Sequence, residues 1–424
     1  MWSNAAARGK ARRGKMMEKR RAAVTGIGVI SPLGNSAEEL YRNLADGRSG
    51  IRAMTEWHDY FGRNIAGAPV VLDPAAVRKI DRKIRRTMGN TALFAGLAAQ
   101  EAVAQSGLDP ALFGSGRVGC IIGSTLGSPS SMTEVCVAEH EGRGNDLSAC
   151  HFFRLMSHSA SFNVADLFGI NGPQLSTNSA CASGLQALGT ALELIQLGKV
   201  DAVLAGGADE STPLVASSFQ LLYALAEEES PEPERLSRPF DAGRTGLVCG
   251  EGAGVLVVEE MEHARKRGAK ILFEIVGYAT NCSGWHVSHS DELQIANCMK
   301  GALADAGIAP GEVDYVCAHA TGTKVGDAAE AAACRAVFGA ETPVSSLKGN
   351  LGHTLGGSGA LELAAVYGMM RDGVVLPTRN LENVEDCAGL LLPREIREQK
   401  VRICLKNSFA FGGVNASLVC RSID

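Results

Sequence analysis

The sequence predicts an α/β fold, because short apolar segments of strand character alternate with segments in which apolar residues recur at helical spacing. The clearest strand-like segments are residues 22–30, 202–205, 254–258 and 271–276. The clearest helix-like segments are residues 185–195 and the charged stretch 259–270. A chain of 424 residues that is 46% hydrophobic can bury one large core or two fused halves.

The chain divides into three predicted regions. We expect a basic, disordered N-terminal extension over residues 1–21, a first half over residues 22–270 and a second half over residues 271–424. The extension holds eight Lys and Arg residues against a single acid and lacks the apolar core of a secretory signal. We therefore expect a disordered tail or an upstream start codon, with Met16 or Met17 as the true start. No sequence repeat is evident between the two halves.

Composition excludes several classes of function. A net charge of −5 gives no bulk basicity for binding nucleic acid, and no apolar run reaches the roughly 18 residues of a membrane span. The twelve cysteines are scattered without paired zinc spacing, which indicates a reduced, cytoplasmic compartment. Cysteines in apolar strand-like segments, and so predicted to be buried, are Cys120, Cys249, Cys317 and Cys404. Cys282, His286 and His289 are too loosely spaced to form a convincing ligand set, so we predict no metal site.

Cys181 lies in a run of small residues, 176–184, after a Gly172-Pro173 turn signal and before a helix-like segment. This pattern predicts a strand, a tight turn and a helix that begins at or beside the cysteine. The positive end of a helix dipole would lower the thiol pKa and favour a nucleophilic thiolate. Taken alone, Cys181 could equally be a buried, inert thiol.

Two histidines occupy separate turn-rich segments. Residues 315–318 predict a short buried strand with His319 at its C-terminal end, where the active sites of layered α/β folds gather. His353 follows Lys348 by five residues in a Gly-rich loop that lacks the signatures of a phosphate-binding loop. Either histidine alone could be a structural hydrogen-bonding residue.

A last motif, residues 407–415, follows the strand-like segment 401–405 and predicts a tight turn. By itself this motif could be a simple hairpin with core phenylalanines. Together, one cysteine and two histidines in turn-rich segments form a nucleophile with its base or hydrogen-bond donors.

The order of these motifs resembles that of the elongating, decarboxylating type I/II β-ketoacyl-acyl-carrier-protein synthases of the thiolase-like superfamily. The resemblance runs from about Arg20 to the C-terminus and includes residues 22–34, 237–241 and 250–254. The Lys-x-x-x-Gly-His pattern ending at His353 resembles the Cys-His-His group more than the initiating synthases or the thiolases. The resemblance implies a duplicated, five-layered α-β-α-β-α fold and a homodimer.

The resemblance also implies roles for individual residues. Cys181 would accept the acyl group, and His319 and His353 would donate hydrogen bonds to the malonyl thioester carbonyl as CO₂ leaves. Lys348 and Glu330 match a supporting pair that orders the histidines and a water.

Further implied roles concern binding. The backbone N–H groups of Cys181 and Phe411 would form the oxyanion hole, and Phe411 would also gate the acyl pocket. Thr321 and Thr323 would hydrogen-bond the phosphopantetheine arm of an acyl carrier protein, which carries the substrates, so the enzyme needs no cofactor of its own. The basic run 78–86 is a candidate docking site for this acidic carrier, although such a run could be only a solvated helix face.

Four departures from the family's usual pattern put the pathway in question. Residues 319–323 read His-Ala-Thr-Gly-Thr, Ala410 replaces a common glycine, residues 349–350 resemble polyketide-type synthases, and the segment 281–289 is unusual. We expect two-carbon extension of an acyl chain in fatty acid biosynthesis. The alternatives are a type II polyketide or polyene ketosynthase with a specialised acyl pocket, or a non-elongating partner subunit of a synthase heterodimer.

Overall fold

The computed structural model describes residues 19–287, 290–384, 387 and 389–423. Most of the predicted N-terminal extension, together with Met16, Met17 and His289, lies outside the described residues. Where the described chain begins, Arg20 pairs with Asp201 at 2.9 Å.

Strands and helices alternate along the chain, as predicted. The strands are β1 (Ala22–Ile30), β2 (Arg52–Ala53), β3 (Ala66–Ala68), β4 (Val118–Gly123), β5 (Gln174–Leu175), β6 (Ala202–Asp209), β7 (Cys249–Gly250), β8 (Gly252–Glu260), β9 (Phe273–Cys282), β10 (Tyr315–Cys317), β11 (Val344–Ser345), β12 (Val374–Val375), β13 (Arg397–Glu398), β14 (Ile403–Ala410) and β15 (Val414–Ser422). The helices are α1 (Ala37–Ala45), α2 (His58–Phe61), α3 (Pro74–Lys79), α4 (Arg82–Arg85), α5 (Asn90–Ser106), α6 (Pro129–His140), α7 (Ala149–Leu155), α8 (Ser159–Phe168), α9 (Ser183–Gln196), α10 (Pro213–Leu221), α11 (Met261–Lys266), α12 (Glu292–Ala306), α13 (Lys324–Phe338), α14 (Lys348–Leu351) and α15 (Ser358–Asp372).

The main sheet contains the same strand topology twice, once in each half of the chain. Its ten strands run in the order β11-β10-β14-β15-β9-β1-β8-β6-β4-β5. When the strands are numbered within each half, both halves have the order 3-2-4-5-1, with the same two antiparallel and two parallel pairings. The halves meet where Ala22 to Val24 of β1 pair antiparallel with Phe273 to Ile275 of β9.

Helices form three layers around the two half-sheets. Helices α9 and α15 contact strands of both halves, so the half-sheets face each other across this pair. Helices α5 and α8 cover the outer side of the first half, and α12 and α13 cover the second. This confirms the five-layered, thiolase-like α-β-α-β-α architecture.

Close packing of helix on sheet depends on small residues. At Gly28 in β1, an added Cβ would overlap the carbonyl oxygen of Ala98 in α5. The predicted apolar stripe of α9 is buried, as are the four cysteines predicted to be buried. None of the helices in the described ranges combines the length and apolar character needed to cross a bilayer.

Candidate active site

The turn that carries Cys181 follows the predicted order of strand, turn and helix. After β5, residues 180–182 form one 3-10 turn, and α9 begins at Ser183. Ala180 has a left-handed φ of 45°, a conformation that L-residues adopt only when the surroundings hold it. The Ser183 hydroxyl does so, since it accepts a hydrogen bond from Ser179 N at 2.8 Å and donates one to Ala180 O at 2.7 Å. The turn buries Cys181 at the start of the helix.

The thiol of Cys181 lies 2.8 Å from Nε2 of His353. Burial raises the pKa of Cys181 to about 12, although the nearby charge of Lys348 acts to lower it. The predicted depression of this pKa is therefore wrong, because loss of water around the sulfur outweighs the charge of the lysine. The resting group is a neutral thiol that must lose its proton during attack.

His353 is held by backbone on one side and by a hydroxyl on the other. Its N–H donates to Val248 O at 2.7 Å, and its carbonyl accepts from Gly250 N at 2.9 Å. Its Nδ1 lies 3.2 Å from Oγ of Ser358, the first residue of α15. A hydroxyl can donate or accept, so either tautomer is supported. The ring can take the thiol proton at Nε2 or present an N–H there.

His319 follows β10 and faces His353 edge to face, with 5.2 Å between the ring centroids. Glu330 accepts hydrogen bonds from the backbone N–H groups of His319 at 2.9 Å and Ala320 at 2.7 Å, and from Asn407 Nδ2 at 3.0 Å. The Nδ1 atom of His319 is buried and has no hydrogen-bond partner among the described residues. Such an orphaned polar atom is consistent with a site that awaits a polar ligand.

Both rings are neutral at physiological pH. Burial lowers the pKa of His319 and of His353 well below the ordinary value, and the charge of Lys348 adds to this. A neutral imidazole with a proton on Nε2 is a fixed N–H donor. Two such donors can stabilise negative charge that develops on one oxygen between them.

Lys348 does not pair with Glu330, the residue with which the resemblance groups it. Its Nζ donates to Glu362 at 2.6 Å, whereas Glu330 contacts the His319 backbone, so the two predicted members of the pair have different partners. Glu362 was missed, as was Lys406, whose Nζ lies 2.8 Å from the other Glu362 oxygen. A signal was present, since each is a lone charge in an otherwise apolar segment that is predicted to be buried.

A third missed residue is Asp209, at the end of β6. Its carboxylate accepts from Gly356 N at 2.7 Å and from Ser124 Oγ at 2.8 Å, and the Ser124 carbonyl accepts from Asn178 Nδ2 at 2.9 Å. Burial raises the pKa of Asp209 to about 6. This carboxyl group joins the turn after His353 to the loop that leads to Cys181.

The predicted binding residues surround one cavity of about 70 Å³. Thr321 and Thr323 line it, with their hydroxyl oxygens 3.2 Å apart. Phe411 lines it too and packs against Phe219, with ring centroids 5.9 Å apart. The cavity therefore brings together the thiol, both imidazoles, the two threonines, Glu330 and Phe411.

A metal site is the alternative interpretation of this cluster, since ligand atoms of Cys181, His319 and His353 all lie within 4.8 Å of one another. Tetrahedral Zn²⁺ would hold a sulfur and a nitrogen about 3.6 Å apart. The 2.8 Å between Sγ and Nε2 of His353 is too short for two ligands of one such ion, and it leaves the thiol close enough to pass its proton directly to the imidazole.

Comparisons with known proteins agree with this geometry. Residues 19–264 match the model of the β-ketoacyl synthase N-terminal domain, and residues 272–382 match that of the C-terminal domain. The thiolase-like fold and the Cys-His-His site define the class of condensing enzymes. Within that class, the chain belongs to the β-ketoacyl synthase family.

Individual relatives cover nearly the whole chain. The chain is 39% identical to 3-oxoacyl-[acyl-carrier-protein] synthase 2 of Coxiella burnetii, over 95% of this chain and 99% of the relative. A β-ketoacyl synthase structure from Burkholderia phymatum superposes with a TM-score of 0.90, 38% identity and coverage of 96% and 100%. A type II polyketide ketosynthase in complex with its acyl carrier protein superposes with a TM-score of 0.87, 31% identity and coverage of 96% and 100%.

Proposed function

We propose that this protein is a 3-oxoacyl-acyl-carrier-protein synthase that extends an acyl chain by two carbons. The carrying observation is that one neutral thiol and two neutral imidazoles line a single buried cavity, with Cys181 Sγ 2.8 Å from His353 Nε2. Substrates arrive on the phosphopantetheine of an acyl carrier protein, and no further cofactor is required.

The first half-reaction loads the enzyme. Sγ of Cys181 attacks the acyl thioester carbonyl, the thiol proton passes through His353, and the carrier leaves as a free thiol. Backbone N–H groups of Cys181 and Phe411 hold the transient oxyanion.

The second half-reaction makes the carbon–carbon bond. The malonyl thioester oxygen accepts N–H hydrogen bonds from His319 and His353, the bond to the carboxylate breaks, and CO₂ departs. The electron pair becomes an enolate, whose carbon attacks the acyl-Cys181 carbonyl. Collapse releases the β-ketoacyl carrier, and the Cys181 sulfur takes up a proton.

Mass spectrometry of the intact protein with a panel of acyl-carrier thioesters tests this reaction. We expect an acyl adduct on Cys181, absent from Cys181→Ala, and a carrier product two carbons longer once malonyl carrier is added. An absence of any adduct or product across the panel would refute elongation by this protein.

A polyketide- or polyene-pathway synthase is the second candidate. The unusual segment contacts the gate turn, because Val287 O accepts from Gly412 N at 2.7 Å and Ser283 N donates to Gly413 O at 2.8 Å. Ala410 lies at the same turn. A narrow primer range in the same panel would favour this candidate, whereas a graded range of saturated chains would favour fatty acid synthesis. An intact Cys181 argues against a non-elongating partner subunit.

Partner and location complete the proposal. Five cations of the basic run are exposed on α3, α4 and the residue after α4: Arg78, Lys79, Arg82, Lys83 and Arg86. This exposed face suits docking of an acidic carrier.

We also propose a cytoplasmic homodimer that uses the free edge of the main sheet at β5, where Leu175 is exposed. A monomer by light scattering would contradict the dimer.

A further inference from the structure

Lys406 on β14 is a fully buried cation to which the proposed reaction assigns no role. Its Nζ donates to Glu362 Oε2 at 2.8 Å and to the carbonyl of Asn407 at 2.6 Å. A lysine without solvent is costly unless it is paired, and here a carboxylate and a carbonyl compensate it. Such a group behind an active site calls for an explanation beyond packing.

The carboxylate that Lys406 contacts connects both segments flanking His353. Glu362 lies in α15, whose first residue, Ser358, contacts His353 Nδ1. The other Glu362 oxygen accepts from Lys348, which begins α14 and precedes His353 by five residues. Lys406 is thus tied through one side chain to the elements before and after this histidine.

The next residue of the strand supports the other histidine. Successive side chains of a strand point to opposite faces, so Lys406 and Asn407 diverge. Asn407 Nδ2 donates to Glu330 Oε1, the same oxygen that accepts from His319 N. Two adjacent residues of β14 therefore hold the two histidine segments from opposite sides.

We propose that Lys406 is a positioning residue that fixes His353 relative to His319 and places a second buried cation behind the two-histidine site. The proposal rests on the proposed function, because it assigns Lys406 to the same two-histidine site. Lys406 does not touch the substrate; it acts through Glu362.

The ionisable groups around the two rings come from six segments of the chain. The ionisable groups facing the rings or the ion pairs behind them are Cys181, Lys348, Lys406, Glu330, Glu362 and Cys317. Burial alone would raise the pKa of Glu362, but Lys348 and Lys406 outweigh it and keep this group ionised. After burial, Lys348 is the largest charge that lowers the pKa of both histidines; Lys406 adds to this for both rings, and His353 also lowers the pKa of His319. Removing the Lys406 ammonium must therefore raise both histidine pKa values.

The test compares Lys406→Met, which keeps an unbranched side chain without charge, with Lys406→Arg, which keeps the charge. Cys404→Ala, two residues earlier on the same face of β14, controls for lost packing. Histidine ring titration by NMR and the pH dependence of malonyl-carrier decarboxylation are measured for each variant. For Lys406→Met we expect kcat to fall at least about tenfold with KM within about twofold, since a misplaced donor affects mainly the chemical step.

The titration separates positioning from packing. We expect the His319 and His353 midpoints to move to higher pH in Lys406→Met and to stay near wild type in Lys406→Arg and Cys404→Ala. A folded Lys406→Met with wild-type titration, whether or not kcat falls, would overturn the proposal. If Lys406→Met does not fold, Lys406→Gln is judged by the same criteria, since its amide can still donate to Glu362. Failure of the wild-type enzyme to decarboxylate would overturn the proposed function instead, and the titration would still decide the role of Lys406.

Discussion

Cys181 and His353 come from different halves of the duplicated fold, yet Sγ and Nε2 lie 2.8 Å apart. Burial favours the protonated thiol and the neutral imidazole, so the pair is not a thiolate–imidazolium ion pair before substrate binds. Negative charge develops on the substrate carbonyl oxygen only during the reaction, and the fixed N–H donors then stabilise that charge.

The two half-reactions should respond differently to substitution of Cys181 and of His353. Cys181→Ala removes the acyl acceptor, and we expect loading to fall at least about a thousandfold while malonyl decarboxylation persists. His353→Ala should instead cripple decarboxylation, because one of two hydrogen-bond donors is lost, by about a hundredfold or more. Mass spectrometry measures loading, and CO₂ release measures decarboxylation. Equal losses in both half-reactions for both variants would show that these role assignments are wrong.

The raised thiol pKa predicts the pH dependence of alkylation. A pKa of about 12 for Cys181 means that the thiolate fraction grows through the whole neutral and mildly alkaline range. We therefore expect the rate of iodoacetamide modification at Cys181 to rise steadily from pH 6 to 10, measured by peptide mass spectrometry. Lys348→Met removes a charge that lowers this pKa, so it should slow alkylation throughout. A plateau below pH 8 in the wild type would instead indicate a stabilised thiolate.

Glu330 should matter for stability as well as for activity. Glu330→Ala leaves the buried N–H groups of His319 and Ala320 without their acceptor, and we expect the free energy of unfolding to fall by about 2–5 kcal/mol. Glu330→Gln is the matched control, because its amide oxygen can still accept one of these bonds and should restore part of the loss. Urea denaturation provides the comparison, and wild-type stability in Glu330→Ala would mean that water replaces the carboxylate.

Charge reversal on the basic run should weaken carrier binding only. For Arg82→Glu combined with Lys83→Glu we expect KM for the acyl carrier to rise about five- to tenfold at low salt, with kcat unchanged. Arg265→Glu, an exposed reversal on α11, is the control. Steady-state kinetics at two salt concentrations tests this, and an unchanged KM would assign the run to an ordinary solvated face.

The sequence contained most of the site because the relevant signals are local. Small residues before a helix predicted the Cys181 turn, and a buried strand followed by a polar loop predicted the place of His319. Glu362 stands out in the sequence as a lone charge in an apolar segment, but its pairing with Lys348 could not be predicted, because that pairing depends on how a tight turn and a buried helix pack in the tertiary structure. The thiol pKa was misjudged for a related reason, since burial depends on the whole fold and the dipole only on the adjacent helix.

The duplication could not be predicted from a repeat, because none is evident between the sequences of the two halves. The two halves share a 3-2-4-5-1 strand order and its pairing pattern, but a topology can persist where side chains differ. The chain therefore shows its repeat in the connectivity of the sheet.

The central pair of helices links folding to activity. Helix α9 from the first half and helix α15 from the second each pack on strands of both halves. Either half alone would therefore leave part of this helix–sheet interface exposed to solvent. A fragment ending before β9 would expose the apolar outer side of α9 and the part of its sheet that α15 covers, and it would also lack both imidazoles. We therefore expect activity only after the whole chain has folded around α9 and α15. An incomplete chain should carry the thiol without being able to catalyse acyl transfer.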